Sequence, residues 1–128
     1  MPRHFAIPTL LVVAGLALAC SEPTAQVGRI SPEALLASPP PDALILDVRT
    51  PDEFASGHVP DAVNVPYDEV EARLGELGAD RGRPVVVYCE RGGRAGRAES
   101  VLLGAGFTDV RHLEGDMSAW RAAGRATE

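Results

Sequence analysis

The sequence predicts an α/β domain built around a mostly parallel sheet, and three observations predict it. Apolar, β-branched runs alternate with segments that carry helix-start and helix-stop residues along the whole chain. Ala43–Val48, ALILDV, is a run typical of a strand buried on both faces, and Pro84–Tyr88, PVVVY, is the strongest strand of all. Of the 128 residues the first 20 read as an export signal, leaving about 108 to fold as one domain. A chain of that size buries roughly two-thirds of its unfolded surface and needs neither metal nor disulfide to hold a core. With 45% hydrophobic and 23% charged residues, disorder is excluded.

The elements follow in order. Val27–Ile30 is a candidate edge strand. Ser31-Pro32-Glu33 opens a helix, with Ser as N-cap and Pro in the first turn, and Pro32–Ala37 ends before Pro39-Pro40-Pro41. After Ala43–Val48, Thr50-Pro51-Asp52-Glu53-Phe54 opens a short helix that Gly57 stops. Ala62–Val65 is a brief strand between Pro60 and Pro66, and Tyr67–Leu77 reads as helical, with Val70, Leu74 and Leu77 on one face. Pro84–Tyr88 runs straight into Cys89, Glu90–Gly93 forms a glycine-bearing loop, and a helix runs from Arg94 to Leu103. Asp109–Leu113 is a last strand and Met117–Ala123 a last helix, ended by Gly124.

Residues 1–19 read as a signal peptide, 20–26 as an anchor and linker, and 27–125 as the folded domain. Arg3 precedes an apolar run, Ala6–Ala19, that has the length of a signal-peptide core. A spanning helix wants about 20 apolar residues, more than this run supplies. Ala17 and Ala19 give the small-x-small cleavage pattern before Cys20, and LALAC resembles the lipobox of bacterial lipoproteins. The resemblance implies lipid on Cys20 and a periplasmic or cell-envelope location at a membrane surface. Plain signal cleavage with a free Cys20 thiol is the alternative; either way the chain is expected to be exported.

Charge narrows the partners. The net charge is −6, and removal of Arg3 with the signal gives −6 − 1 = −7. All 12 basic residues are Arg and form no basic arm, so nucleic acid is not expected as a partner. The scattered His and Cys residues lack metal-ligand spacing, and no metal or organic cofactor is implied.

Cys20 and Cys89 are the two cysteines, so with Cys20 lipidated Cys89 is a lone thiol. Ligands of open α/β sheets bind beyond the carboxyl ends of strands, which is where Cys89 falls. In Cys89-Glu90-Arg91-Gly92-Gly93-Arg94 the glycines let successive N–H groups converge, and a helix N-terminus adds partial positive charge. Arg91 and Arg94 add full charges. Such surroundings favour a nucleophilic thiolate and a bound anion. A buried structural cysteine is the bland alternative.

Three segments in order carry a resemblance to the rhodanese family, sulfurtransferases whose cysteine carries a persulfide. YCERGGRAGRA resembles the active-site loop. LDVRTPDEFASGHVPDAVNVP resembles the first signature through Asp47, Arg49, Glu53, Phe54, Gly57, His58, Pro60, Asn64 and Pro66. LEGDMSAWRAAG resembles the closing signature through Leu113, Glu114, Gly115, Trp120 and Gly124. Asp61 and Asp116 stand where the family commonly has Gly, and Glu90 follows the nucleophile where a basic or neutral residue is common.

The resemblance implies a rhodanese-like sheet flanked by helices on both faces and an exported sulfurtransferase. Cys89 would take sulfur from a small anionic donor such as thiosulfate and pass it to a thiol or cyanide acceptor. Glu90, Arg91, Gly92, Gly93 and Arg94 would bind the substrate, with the Glu90 carboxylate turned to solvent. Related phosphatases and arsenate reductases place Arg six residues after the cysteine. Here the sixth residue is Ala95 and Arg94 is the fifth, so the loop is one residue short for a phosphate. A non-catalytic binding module or persulfide carrier is the other alternative. His58, Asp47 and Arg49 are expected to be structural, with Arg49 set towards Glu53. His112 is given no role, and Trp120 with Met117 is expected in the core.

Overall fold

The computed structural model describes residues 25–128 together with Pro2 and Gly15. The signal, linker and Cys20 readings therefore fall wholly or mostly outside the described residues.

The described chain alternates β1 (Gly28–Ile30), α1 (Pro32–Ala37), β2 (Leu44–Asp47), α2 (Pro51–Ala55), β3 (Val63–Asn64), β4 (Val85–Tyr88), α3 (Gly93–Gly104), β5 (Val110–Leu113) and α4 (Asp116–Ala122). The five strands form one sheet in the order β1-β5-β4-β2-β3, and every pairing is parallel. The α/β fold with a parallel sheet is as the sequence predicts.

Side-chain alternation along β4 divides the core in two. Val85, Val87 and Cys89 face one layer with Leu44, Leu46 and Val48, beneath Ala95, Ala98 and Leu102 of α3. Val86 and Tyr88 face the other, with Leu35 of α1 and Met117 and Trp120 of α4. The helices thus cover both faces. Trp120 is fully buried and its indole N–H donates to the Ala126 carbonyl at 2.9 Å, so its core role holds.

Local signals set most boundaries. Ser31 caps α1 by accepting the Ala34 N–H at 3.1 Å. Thr50 and Glu53 form a reciprocal capping box on α2, which satisfies amides that the first turn leaves without carbonyl partners. Tyr67–Leu77 is the exception. Instead of one helix it forms a series of turns ending in a 3₁₀ turn, Leu74–Leu77. Gly75, and Gly78 at φ 91°, disfavour helix propagation, and a few isolated turns suffice to bury Val70 and Leu77.

β2 and β4 are neighbours, yet the chain leaves β2 for the edge strand β3 on one side and leaves β4 for β5 on the other. The connections diverge there, and the carboxyl ends of strands at such a point are where open α/β sheets bind ligands. Both ends carry the residues that the sequence singles out.

Candidate functional site

Cys89 follows the last residue of β4, and its Sγ accepts the Gly92 N–H at 3.0 Å. Gly92 is the N-cap of α3 at φ 113°, a left-handed conformation that glycine adopts without cost, and no side chain caps the helix. The first in-register helical bond is from the Gly96 N–H to the Gly92 carbonyl at 3.0 Å. The amides of Glu90, Arg91, Gly93, Arg94 and Ala95 find no acceptor among the described residues. Amides left without acceptors at a helix N-terminus are donors of the kind that bind anions. Cys89 is only 1% exposed, so a reactant reaches Sγ with a terminal atom or not at all.

The loop is fastened from beneath by α4. The Met117 and Ser118 N–H groups donate to the carbonyls of Cys89 and Glu90 at 3.0 and 3.1 Å, and the Asp116 carboxylate accepts the Cys89 N–H at 3.0 Å. Asp61 and Asp116 both have positive φ, 68° and 54°. Asp tolerates this region better than most residues, which accounts for Asp at two positions where the resemblance implies Gly.

The charges pair differently from the sequence expectation. Arg94 is committed to Glu53, with Nη1–Oε1 at 2.6 Å and Nη2–Oε2 at 3.0 Å. That pair, with the Thr50 contacts, holds the Glu53 carboxyl down to about 2. Glu90 is not free in solvent: it takes Arg121 at 2.7 Å and Arg49 at 3.4 Å, and the Arg121 bond holds its carboxyl below the usual range. Arg91 is exposed and makes no ion pair among the described residues.

Arg49 is not set on Glu53. It lies buried on Asp47, with Nη2–Oδ2 at 2.8 Å, and donates to the Gly57 carbonyl at 2.8 Å. The reason is burial: Asp47 has no exposed surface and needs a cation, whereas Glu53 at the rim of α2 reaches Arg94. Asp47 also accepts the Tyr88 hydroxyl at 2.6 Å, and burial together with this bond pushes the Tyr88 phenol up. Asn64 donates to the carbonyls of Asp47 and Arg49 at 3.0 Å each. His58 stacks on Phe54, ring centroids 3.7 Å apart, with Nδ1 at 2.9 Å from the Phe54 carbonyl, as a structural histidine should.

Sequence reading missed Glu53 as the partner of Arg94, Arg121 as the partner of Glu90, and the group behind the loop. His112 does meet convergent partners: Nδ1 lies 2.8 Å from Glu99 and Nε2 2.9 Å from Asp116. Those bonds, Asp116 first and Glu99 second, raise the imidazole to about 10. The one signal available was the unusual Asp116.

A buried cysteine at a parallel-strand end, with the Gly92 amide on its sulfur and a helix start that no side chain caps behind it, is the centre of this α/β domain. The rhodanese-like domain family matches residues 32–123, and the chain belongs to that family. Among similar proteins, a "Sulfurtransferase" of Allochromatium vinosum is 39% identical over 65% of this chain and 76% of its own. The "Thiosulfate sulfurtransferase GlpE" of Pseudomonas syringae is 37% identical over 73% of this chain and 86% of its own. In structure, a rhodanese-related protein from Thermoplasma volcanium matches with a TM-score of 0.68 at 25% identity, covering 79% of this chain and 97% of that one.

Proposed function

We propose that the protein is a sulfurtransferase in which Cys89 carries sulfane sulfur as a persulfide. The observation that carries this reading is the Gly92 N–H on Sγ at 3.0 Å, beside loop and helix-start amides that have no acceptor among the described residues. The Cys89 thiolate attacks the outer sulfur of a thiosulfate-type donor; the bond from that sulfur to the sulfonate breaks, and sulfite leaves with the electron pair. The terminal persulfide sulfur then lies against these amides, whose preorganised donors stabilise its charge. Attack by cyanide or a thiol takes the sulfur and restores the thiolate. Arg91, which makes no ion pair among the described residues, is the first contact for the anionic donor, while the charge of Arg94 is offset by Glu53.

The similar proteins named for sulfurtransferase and thiosulfate sulfurtransferase activity support this reading. Loop length and the commitment of Arg94 to Glu53 both speak against a phosphoryl or arsenate substrate. A second reading is a persulfide carrier without rapid turnover, favoured by the two carboxylates, Glu53 and Glu90, that offset cations at the mouth.

Intact-mass spectrometry after incubation with thiosulfate tests the core of the proposal. Gain of one sulfur, removed by cyanide and absent in Cys89→Ser, is expected. A persulfide that forms without saturable thiocyanate production selects the carrier, and no adduct from thiosulfate or any other common sulfur donor overturns both. We further propose export, with residues 1–19 removed and Cys20 lipidated. Recovery from membranes with a diacylglyceryl mass on Cys20 is expected; a soluble protein bearing an unmodified Cys20 thiol overturns the anchor.

A further inference from the structure

We propose that His112, held between Glu99 and Asp116, is a positioning residue that sets the reactivity of Cys89 from behind its loop. The inference rests on the sulfur-transfer reading of the same site.

The geometry is a chain of contacts across three elements. Glu99 of α3 is bound to His112 of β5 at 2.8 Å, His112 to Asp116 of α4 at 2.9 Å, and Asp116 to the backbone N–H of Cys89 at 3.0 Å. Glu99 and Asp116 are 5% and 3% exposed, so neither carboxylate has water enough to do without a partner. Gly92 lies directly against the group. A methyl at Gly92 would sit 3.2 Å from the Asp116 carboxylate and 3.7 Å from the His112 ring, and the Gly92 N–H is the one on Sγ. The imidazole thus stands against Gly92, on the residue whose N–H meets the thiol sulfur. Asp116 keeps its strained φ of 54° while making both bonds, which points to a required carboxylate.

An imidazolium between two carboxylates leaves the group with a net charge of −1. The other charges around Cys89 come as pairs: Glu53 with Arg94 from α2 and α3, and Glu90 with Arg121 and Arg49. Arg91 is the exception, exposed in the loop. Arg29, the register neighbour of His112 on β1, is turned to Glu114 at 3.6 Å. The charge state of the triad is therefore a main determinant of the field behind Sγ. With His112 protonated, half the charge of the two buried carboxylates is offset; without it, their combined charge opposes the thiolate.

The test measures iodoacetamide alkylation of Cys89 in the full chain against pH, alongside sulfur transfer from thiosulfate. His112→Gln keeps a donor for Asp116 but removes the cation, so alkylation at pH 7 should slow about tenfold, the equivalent of one pH unit, and recover at higher pH. Glu99→Gln removes one carboxylate and should shift alkylation the opposite way. The double variant Glu99→Gln/His112→Gln restores the net charge and should regain most of the lost rate.

A wild-type alkylation profile in His112→Gln overturns the proposal. So does movement of both single variants in one direction, the mark of a purely structural role. If His112→Gln fails to fold, the sign of the Glu99→Gln effect still decides: slower or unchanged alkylation overturns the proposal. Alkylation needs no sulfur donor. The opposed shifts with no sulfur uptake by the wild type would uphold the triad and refute sulfur transfer.

Discussion

The ends of β2 and β4 lie side by side in the sheet and are both followed by a short loop and a helix, yet they are finished in opposite ways. Beyond β2 the chain's own groups supply most partners: Asp47 takes Arg49 and Tyr88, Asn64 donates to the Asp47 and Arg49 carbonyls, and Thr50 with Glu53 caps α2. Beyond β4 the N-cap is Gly92, no side chain closes the turn, and the amides around Cys89 are left for something outside the chain. The contrast separates two similar-looking motifs, one that serves as framework and one that is the candidate site. A helix start that satisfies itself stabilises the fold, while one that leaves donors without partners is prepared for a ligand.

Breaking the β4 end at its centre should have the largest effect. Cys89→Ser should reduce sulfur uptake below detection while leaving the melting temperature within a degree or two of wild type, small against the roughly 4–8 °C per kcal/mol expected of a domain this size. A large drop in melting temperature would mark Cys89 as a packing residue. At the β2 end the pattern should invert. Asp47→Ala leaves Arg49 buried without its carboxylate and should cost about 3–5 kcal/mol in denaturant unfolding. A loss under about 1 kcal/mol would mean that water reaches Arg49 after all.

Gly92→Ala sharpens the comparison, because it strains one conformation and crowds the Asp116 carboxylate at 3.2 Å without changing any charge. It should slow persulfide formation by about a hundredfold, the scale of one misplaced donor, at a stability cost of about 1–2 kcal/mol. Unchanged kinetics would show that the Gly92 amide is incidental. Thr50→Ala, the matching change beyond β2, should cost about 1 kcal/mol and leave turnover per folded molecule intact.

Acid and base separate the two regions by sign. Glu53, lowered to about 2 by Arg94 and Thr50, contributes stability that is present above its ordinary range near 4.5 and is lost as pH falls towards 2. His112, raised to about 10 by Asp116 and Glu99, contributes stability that is full below its ordinary value of 6.5 and is lost as pH rises towards 10. Denaturant midpoints of the wild type and His112→Gln should therefore converge between pH 6.5 and 10. Parallel curves across that range would show that the imidazole gains nothing from its partners.

Much of this was legible in the chain itself. Pro32 and Pro51 behind their capping hydroxyls, the apolar runs of β2 and β4, and Cys89 ahead of two glycines are local patterns whose outcome depends on neighbours within a few residues. Local propensity and periodicity therefore sufficed to give the α/β order, the parallel sheet and the position of Cys89 at the end of β4. They failed at Tyr67–Leu77, where the apolar spacing looked helical but burial of Val70 and Leu77 is met by separate turns.

The long-range charge pairs around Cys89 were decided by the tertiary structure alone. Arg94 meets Glu53 across 41 residues, Arg121 meets Glu90 across 31, and His112 meets Glu99 across 13. No spacing rule connects such positions. Which arginine stays available to a substrate, and which aspartate ends up beneath the cysteine, depends on which strand ends the sheet order brings together and on which charges are buried too deeply to be left alone.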